Sequence, residues 1–189
     1  MISIVIVCDS EDRPVMATLA ALVPGAAAGL VRDAILVNRG ENAAIVRIAD
    51  VAGCDVVPFA GSQAEALSTG ARAAGAPWLM FLRPGTILDA GWVEEASRFI
   101  HEPANGESVR RAAAFSYAPR PYTRFGMTEV GKALQRWIAG PSAQQGLLIA
   151  RAHYDELGGH RDPRRPEAAL NRRIGRRSLV TLTTRAATI

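Results

Sequence analysis

The stretch Pro77-Trp78-Leu79-Met80-Phe81-Leu82-Arg83-Pro84-Gly85-Thr86-Ile87-Leu88 decides the fold. Trp78 to Leu82 is an unbroken apolar run, the pattern of a strand covered on both faces. Arg83-Pro84-Gly85 then reads as a short turn, since proline presets φ and glycine accepts positive φ. A small-residue helix, Gln63 to Ala74, precedes the strand, and a second helix, Gly91 to Ile100, follows it.

The same alternation extends upstream. Ile2 to Val7 is a continuous run rich in β-branched residues and predicts another buried strand, closed by the polar turn Asp9-Ser10-Glu11. Pro14 to Leu22 reads as a helix with proline near its start, which Pro24-Gly25 is expected to break. Ala34 to Val37 predicts a strand ending in Asn38-Arg39-Gly40-Glu41-Asn42. Asn42 to Val51 is helical in period, and Val56 to Phe59 is a short strand. Strand and helix in alternation predict an α/β fold, a mostly parallel Rossmann-like sheet with helices on both faces. Ligands of such sheets sit beyond the carboxyl ends of the strands. Three strand ends should therefore face one cleft: Cys8 to Glu11, Asn38 to Gly40, and Arg83 to Gly85.

Downstream the pattern is less regular. Glu102 to Glu107 is a polar loop, Ala112 to Tyr117 a strand, and Pro119 to Pro121 a break. Thr123 to Ile138 carries an amphipathic stripe of Phe125, Val130, Leu134, Trp137 and Ile138, with Trp137 a core residue by its spacing. Gly146 to Ile149 predicts a strand. Ala152 to Leu157 predicts a short helix stopped by Gly158-Gly159. Pro166 to Ile174 is helical and Leu179 to Leu182 a last strand. With no repeat and no linker, residues 1–189 read as one domain.

Composition narrows the functional classes. Hydrophobic residues make up 49% and charged residues 21% of the 189, enough for a sizeable core in an ordinary soluble protein. No apolar run approaches the roughly 20 residues of a membrane span. The opening Met1 to Val7 lacks a basic start and meets Asp9, Glu11 and Asp12 at once, so it reads as a strand and not a signal peptide. Cys8 and Cys54 lie in apolar contexts without metal-ligand spacing and suit buried thiols in a reducing cytoplasm, the expected location. His101, His153 and His160 are scattered, which disfavours a zinc site. Dinucleotide, Walker and serine-elbow motifs do not occur.

The net charge of +4 is arginine: Lys132 is the one lysine among 22 basic residues. From Arg151 onward the chain holds Arg151, Arg161, Arg164, Arg165, Arg172, Arg173, Arg176, Arg177 and Arg185. A solvated face, a phosphate or diphosphate site, and peripheral contact with an anionic membrane are competing readings. Few aromatics accompany the arginines, and no nucleic-acid-binding motif is present, so nucleic acid is not an expected partner.

Several landmarks, taken in order, resemble family 2 glycosyltransferases with the GT-A fold. Ser10-Glu11 resembles that family's Asn-Glu after the first strand. Leu36-Val37-Asn38-Arg39-Gly40 resembles its strand ending in Asp-Asp-Gly or Asp-Gly-Gly. Gly61 to Ala71 resembles its glycine-and-alanine helix. Phe81-Leu82-Arg83-Pro84-Gly85-Thr86, then Gly91-Trp92, resembles Phe-Leu-His-Ala-Asp-Thr followed by Gly-Trp. The second half is similar to short bacterial transferases grouped with radical-SAM and selenoprotein-type genes: Ala143-Gln144-Gln145-Gly146 resembles Gly-Asp-Gln-Gly, Leu157-Gly158-Gly159 resembles Leu-Gly-Gly, and Pro166-Glu167-Ala168-Ala169-Leu170 resembles Glu-Asp-x-x-Leu.

The resemblance implies a nucleotide-diphosphate sugar as donor, an acceptor of unknown identity and transfer by inversion. Residues 1–100 would form the nucleotide-binding half and 101–189 the acceptor and catalytic half. It implies substrate contacts at Asp9, Glu11, Asn38, Arg39, Arg83, Gly85, Gln144 and Gln145. Where the family holds magnesium or manganese on two aspartates, this chain has Arg83 and Gly85, so the metal site is expected to be lost and no cofactor retained. Arg83 would then meet the diphosphate, or else form an ion pair with Asp89 or Glu11. Aligned on Leu170, Glu167 falls on the family's catalytic base; aligned on the glutamates it falls one place away, and a surface glutamate at a helix start is the plain alternative. A catalytically silent member acting as a binding or scaffold protein is the other outcome.

Overall fold

The computed structural model describes residues 1–9, 13–102, 111–117, 146–175 and 178–188. Glu11, Gln144, Gln145 and the amphipathic stretch Thr123 to Ile138 lie outside them. The described strands are β1 (Ile2–Cys8), β2 (Val31–Asn38), β3 (Asp55–Pro58), β4 (Trp78–Leu82), β5 (Thr86–Leu88), β6 (Ala112–Tyr117), β7 (Leu147–Ala150) and β8 (Leu179–Thr188). The helices are α1 (Arg13–Ala27), α2 (Ala43–Ala52), α3 (Gln63–Ala73), α4 (Trp92–His101), α5 (Arg151–Glu156) and α6 (Pro166–Ile174).

All eight strands join one sheet in the order β3-β2-β1-β4-β7-β6-β8-β5. The block β3-β2-β1-β4 is parallel, as its helical crossovers require. β7 runs antiparallel to both β4 and β6, β6 is parallel to β8, and β5 pairs antiparallel with β8. The order reverses between β1 and β4: the chain winds outward to β3 and returns on the far side of β1. This switch point is where α/β sheets open a crevice.

The pleat of β1 separates two cores. Ile2, Ile4, Ile6 and Cys8 point into one layer with Leu22 of α1, Ile45 of α2 and Trp92 and Phe99 of α4. Val5 and Val7 point into the other with Ala66, Leu67 and Ala71 of α3, Tyr154 of α5 and Leu170 and Ile174 of α6. Helices thus cover both faces, as the sequence predicts. The small residues of α3 matter for its approach: a Cβ on Gly70 would stand 2.5 Å from Val5 Cγ1 and 2.9 Å from Val37 Cγ2. Ser62 and Glu65 start this helix with a capping box.

Three expectations on element boundaries need correction. Helix α1 does not break at Pro24-Gly25 but continues to Ala27 with Pro24 inside it. Proline removes one helical hydrogen bond. Here α4 supports that turn: Gly25 packs where any Cβ would run into the Trp92 ring, and Trp92 Nε1 donates to Ala21 O at 3.2 Å. Thr86 to Leu88 forms a short strand, and β8 extends to Thr188, well past Leu182. The extension is polar in sequence, and partners remote in sequence hold it. Glu95 of α4 accepts from Thr183 N and Oγ1 at 2.7 Å and from Thr184 N at 2.8 Å. Arg185 Nε donates to Asp89 Oδ2 at 2.8 Å. Burial pushes the Glu95 carboxyl up, but the donors of Thr184 and Thr183 outweigh it and bring it down to about 2.

Several of the described arginines of the second half clamp main-chain carbonyls. Arg151 donates to Ala76 O, Ala71 O and Ala74 O at 2.9, 2.9 and 2.7 Å, closing the carboxyl end of α3. Arg173 donates to Leu157 O at 2.5 Å and Gly159 O at 2.6 Å, and Arg161 to Gly158 O at 2.8 Å. Cys8 is buried and its thiol is pushed up to about 12, chiefly by that burial, so it is unreactive. Among the described residues no helix is long and apolar enough to cross a membrane.

Candidate functional site

The turn after β4 is built from its own sequence and from α1. Thr86 N donates to Arg83 O at 3.0 Å and Gly85 has φ of +87°. With Pro84 before that glycine, this is the pattern of a type II turn. Gly85 N also donates to Pro14 O and to Thr18 Oγ1, both at 2.9 Å, pinning the turn to the first turns of α1. Positive φ at this place explains glycine there: a side chain would be strained.

Arg83 leaves the turn toward α6. Its Nη2 donates to Glu167 Oε1 at 2.8 Å. Glu167 lies in the first turn of α6, directly after Pro166, where the helix dipole favours a carboxylate. The guanidinium side chain is 46% exposed and the carboxylate side chain 16% exposed. Among the described residues Arg83 therefore pairs with Glu167 and not with Asp89, which holds Arg185; Glu11, the other expected partner, lies outside them.

A second ion pair stands at the neighbouring strand ends. Arg39 N donates to Cys8 O at 2.8 Å, tying β2 to β1, and Arg39 Nε donates to Asp9 Oδ1 at 2.7 Å. The Asp9 side chain is 60% exposed. Asn38 is buried, and its amide closes on its own loop: Nδ2 donates to Asn42 O and Oδ1 accepts from Asn42 N, both at 3.0 Å. Asparagine suits this place because an ionised aspartate could accept from Asn42 N but could not donate to Asn42 O. Asn42 in turn caps α2 through Ala44 N.

The structure thus brings Asp9 to Arg39, after β1 and β2, and Arg83 to Glu167, after β4 and at the start of α6; Gly85 shares the turn of Arg83. Asn38 supports the Arg39 loop from within. Among the described residues no hydrogen bond joins the two pairs.

Sequence reasoning missed the aromatic and imidazole cluster behind β4. Tyr154 stacks on Phe81 with centroids 5.2 Å apart, and His160 meets Phe81 edge-on at 4.7 Å. Tyr154 Oη lies 2.9 Å from His160 Nδ1, while His160 Nε2 is buried without a partner among the described residues. Burial holds His160 down at about 4; the Glu167 charge opposes this and Arg173 adds to it. His160 is therefore a neutral ring that senses the Glu167 charge. Its spacing from the other histidines carried no signal, because its partners come from β4 and α5.

A divalent cation does not suit the residues of this turn. Gly85 has no side chain, Arg83 is a cation, and the carboxylates Asp9 and Glu167 are each engaged by an arginine. Among the described residues no three His, Cys, Asp or Glu side chains gather closely enough to ligate a metal.

No family model matches the sequence, and no curated protein matches it in sequence. Solved structures do match. The chain is similar over its whole length to Mycobacterium tuberculosis glucosyl-3-phosphoglycerate synthase in complex with Mn2+, uridine diphosphate and glucosyl-3-phosphoglycerate, with a TM-score of 0.67, 17% identity and 71% of that chain covered. It is similar over its whole length to GalNAc-T7 in complex with UDP, GalNAc and Mn2+, with a TM-score of 0.72 and 16% identity, but spans 43% of that chain. These likenesses show the fold: a GT-A arrangement shared with nucleotide-sugar glycosyltransferases.

Proposed function

We propose that the chain is a glycosyltransferase-like protein whose cleft, at the carboxyl ends of β1, β2 and β4, binds a nucleotide-diphosphate sugar and transfers the sugar by inversion, without a metal, to an acceptor. The observation that carries this reading is the turn Arg83 to Thr86. It sets a half-exposed guanidinium at the switch point of a GT-A sheet, 2.8 Å from a carboxylate on a helix start. Several of the similar structures were solved with uridine diphosphate or uridine-diphosphate-glucose, which supports a uridine diphosphate donor here.

In this reading residues 1–100 hold the nucleotide and 101–189 supply the acceptor side and the base. Arg83 and Arg39 meet the diphosphate, Arg83 through bidentate charge-assisted hydrogen bonds that stabilise the leaving group as its charge develops. Gly85 keeps the turn low enough for the diphosphate to approach. Asp9, Glu11, Gln144 and Gln145 complete the donor site, and Asn38, closed on Asn42, holds the Arg39 loop for it. Glu167 takes the proton from the acceptor hydroxyl as its oxygen bonds to the anomeric carbon, while the carbon–oxygen bond to the diphosphate breaks and the nucleoside diphosphate leaves with the electron pair.

One observation favours the second reading, a catalytically silent binding or scaffold protein: both cleft arginines are already neutralised by carboxylates, which leaves the four groups charge-balanced. Peripheral membrane contact is the weaker alternative, because Arg151, Arg161 and Arg173 are bound to carbonyls.

Calorimetry with a panel of nucleotide sugars separates donor-binding readings from the membrane one, and turnover assays then separate transferase from silent protein. Binding of a uridine or guanosine diphosphate sugar is the expected result. A chain that binds none of the panel refutes the reading.

A further inference from the structure

The contact between Arg83 and Glu167 joins the two residues to which the proposed function gives opposite tasks. One must hold the diphosphate before reaction and the other must accept a proton during it. In the free protein each occupies the other. Glu167 Oε1 accepts from Arg83 Nη2 at 2.8 Å, so the pair holds the carboxylate turned toward Arg83 while it stands. A guanidinium has five N–H donors. The pair uses one of them, and among the described residues the Arg83 side chain makes no other hydrogen bond. Arg83 is also the more exposed partner, at 46% against 16%, so an anion reaches it from solvent without first displacing Glu167.

We propose that the Arg83–Glu167 ion pair is a donor-operated latch: a diphosphate bound at the turn after β4 draws Arg83 away from Glu167, and only then is the carboxylate available as base. This rests on the proposed function and adds its regulation. The physical basis is an exchange of partners. A diphosphate offers several anionic oxygens in a geometry that a guanidinium meets bidentately, whereas the contact to Glu167 uses one oxygen. The freed carboxylate keeps its place at the amino end of α6, where the helix dipole stabilises it. The order of events follows. With no donor in the cleft the carboxylate stays turned toward Arg83, and it turns to the acceptor only once a sugar is there to transfer. An anion first meets the free N–H groups of Arg83; its full bidentate hold then costs the contact to Glu167, so the latch opposes donor binding.

That opposition is measurable. The probe is UDP, with inorganic pyrophosphate alongside, titrated calorimetrically in EDTA into the full chain and its variants. Glu167→Gln should tighten binding by about two- to fivefold, the size of a partly exposed ion pair. In an Arg83→Ala background the same change should have no effect, because Glu167 acts on the ligand through Arg83. Glu167→Asp separates the latch from simple repulsion: it keeps the charge but falls one methylene short of Arg83, and should also tighten binding. Equal tightening by Glu167→Gln with and without Arg83 would mean that the carboxylate merely repels the anion, and would overturn the latch. So would unchanged or weaker binding by Glu167→Gln where Arg83→Ala still weakens it; the donor-site reading would then stand without the latch. Normal binding by Arg83→Ala, or no binding by any form of the chain, would overturn both.

Discussion

The guanidinium of Arg151 donates to three main-chain carbonyls at and just beyond the end of α3, whereas that of Arg83 holds one carboxylate oxygen after β4. The two residues have the same chemistry and different consequences. Carbonyls at a helix end have no alternative donor once buried, so Arg151 cannot leave without orphaning them. A half-exposed ion pair contributes little to stability and exchanges readily with a better anion. Arg173 belongs with Arg151, and Arg39 on the exposed Asp9 belongs with Arg83. Charge alone therefore does not mark a binding arginine; its partner does.

The comparison is broken most sharply through the carboxylate. For a donor and acceptor that the wild type turns over, Glu167→Gln should lower turnover by about 10²–10⁴-fold, the usual loss with a general base. Single-turnover kinetics at saturating donor reads this directly, and an unchanged rate would leave Glu167 as a plain partner of Arg83.

Arg151→Ala should destabilise the fold by about 3–4 kcal/mol, one increment for each carbonyl left without its charged donor. Urea unfolding measures it, and UDP affinity of the folded variant should stay within about twofold of wild type. Arg83→Ala should do the reverse. It should weaken UDP binding by about 1.5–3 kcal/mol and shift stability by less than about 1 kcal/mol. If both substitutions act mainly on stability, the division between clamps and ligand groups fails.

A smaller effect sharpens the account of the buried cluster behind β4. The unfolded chain protonates His160 near 6.5, the folded chain only near 4. A folded value below the unfolded one means that stability is complete above about pH 6.5. It falls as pH drops toward 4, because there the unfolded state binds the extra proton. The expected loss is on the order of 3 kcal/mol across that window. Denaturation midpoints between pH 4 and 7 should show it, and His160→Gln should flatten the slope.

The first hundred residues were legible because their signals are local. Ile2 to Val7 and Trp78 to Leu82 are unbroken apolar runs, and Gly70 and the alanines of α3 announce a close approach to the sheet. Proline beside glycine gave the turn after β4 directly. What stayed hidden depends on partners far away in the chain. Arg83 and Glu167 are 84 positions apart, so sequence offered each a role and no sign of their contact. The polar Thr183-Thr184-Arg185 looks unlike a strand until Glu95 and Asp89 are placed beside it. Pro24 looks like a helix stop until Trp92 packs on the next residue. The basic tail left a solvated face, a phosphate site and a membrane contact open, because nothing local says which arginines find carbonyls. Asn38 was matched to a nucleotide-binding aspartate by its place at a strand end, and its bonds to Asn42 were not visible in the sequence.

The central claim is that a guanidinium, and not a metal ion, receives the donor diphosphate at this turn. Calorimetric titration of UDP into the wild-type chain, first in EDTA and then in excess manganese, tests it most directly. The account predicts binding in EDTA and an affinity that manganese leaves within about twofold. Binding that appears only with manganese, or that strengthens by more than about tenfold on adding it, would contradict the account and return the site to metal chemistry.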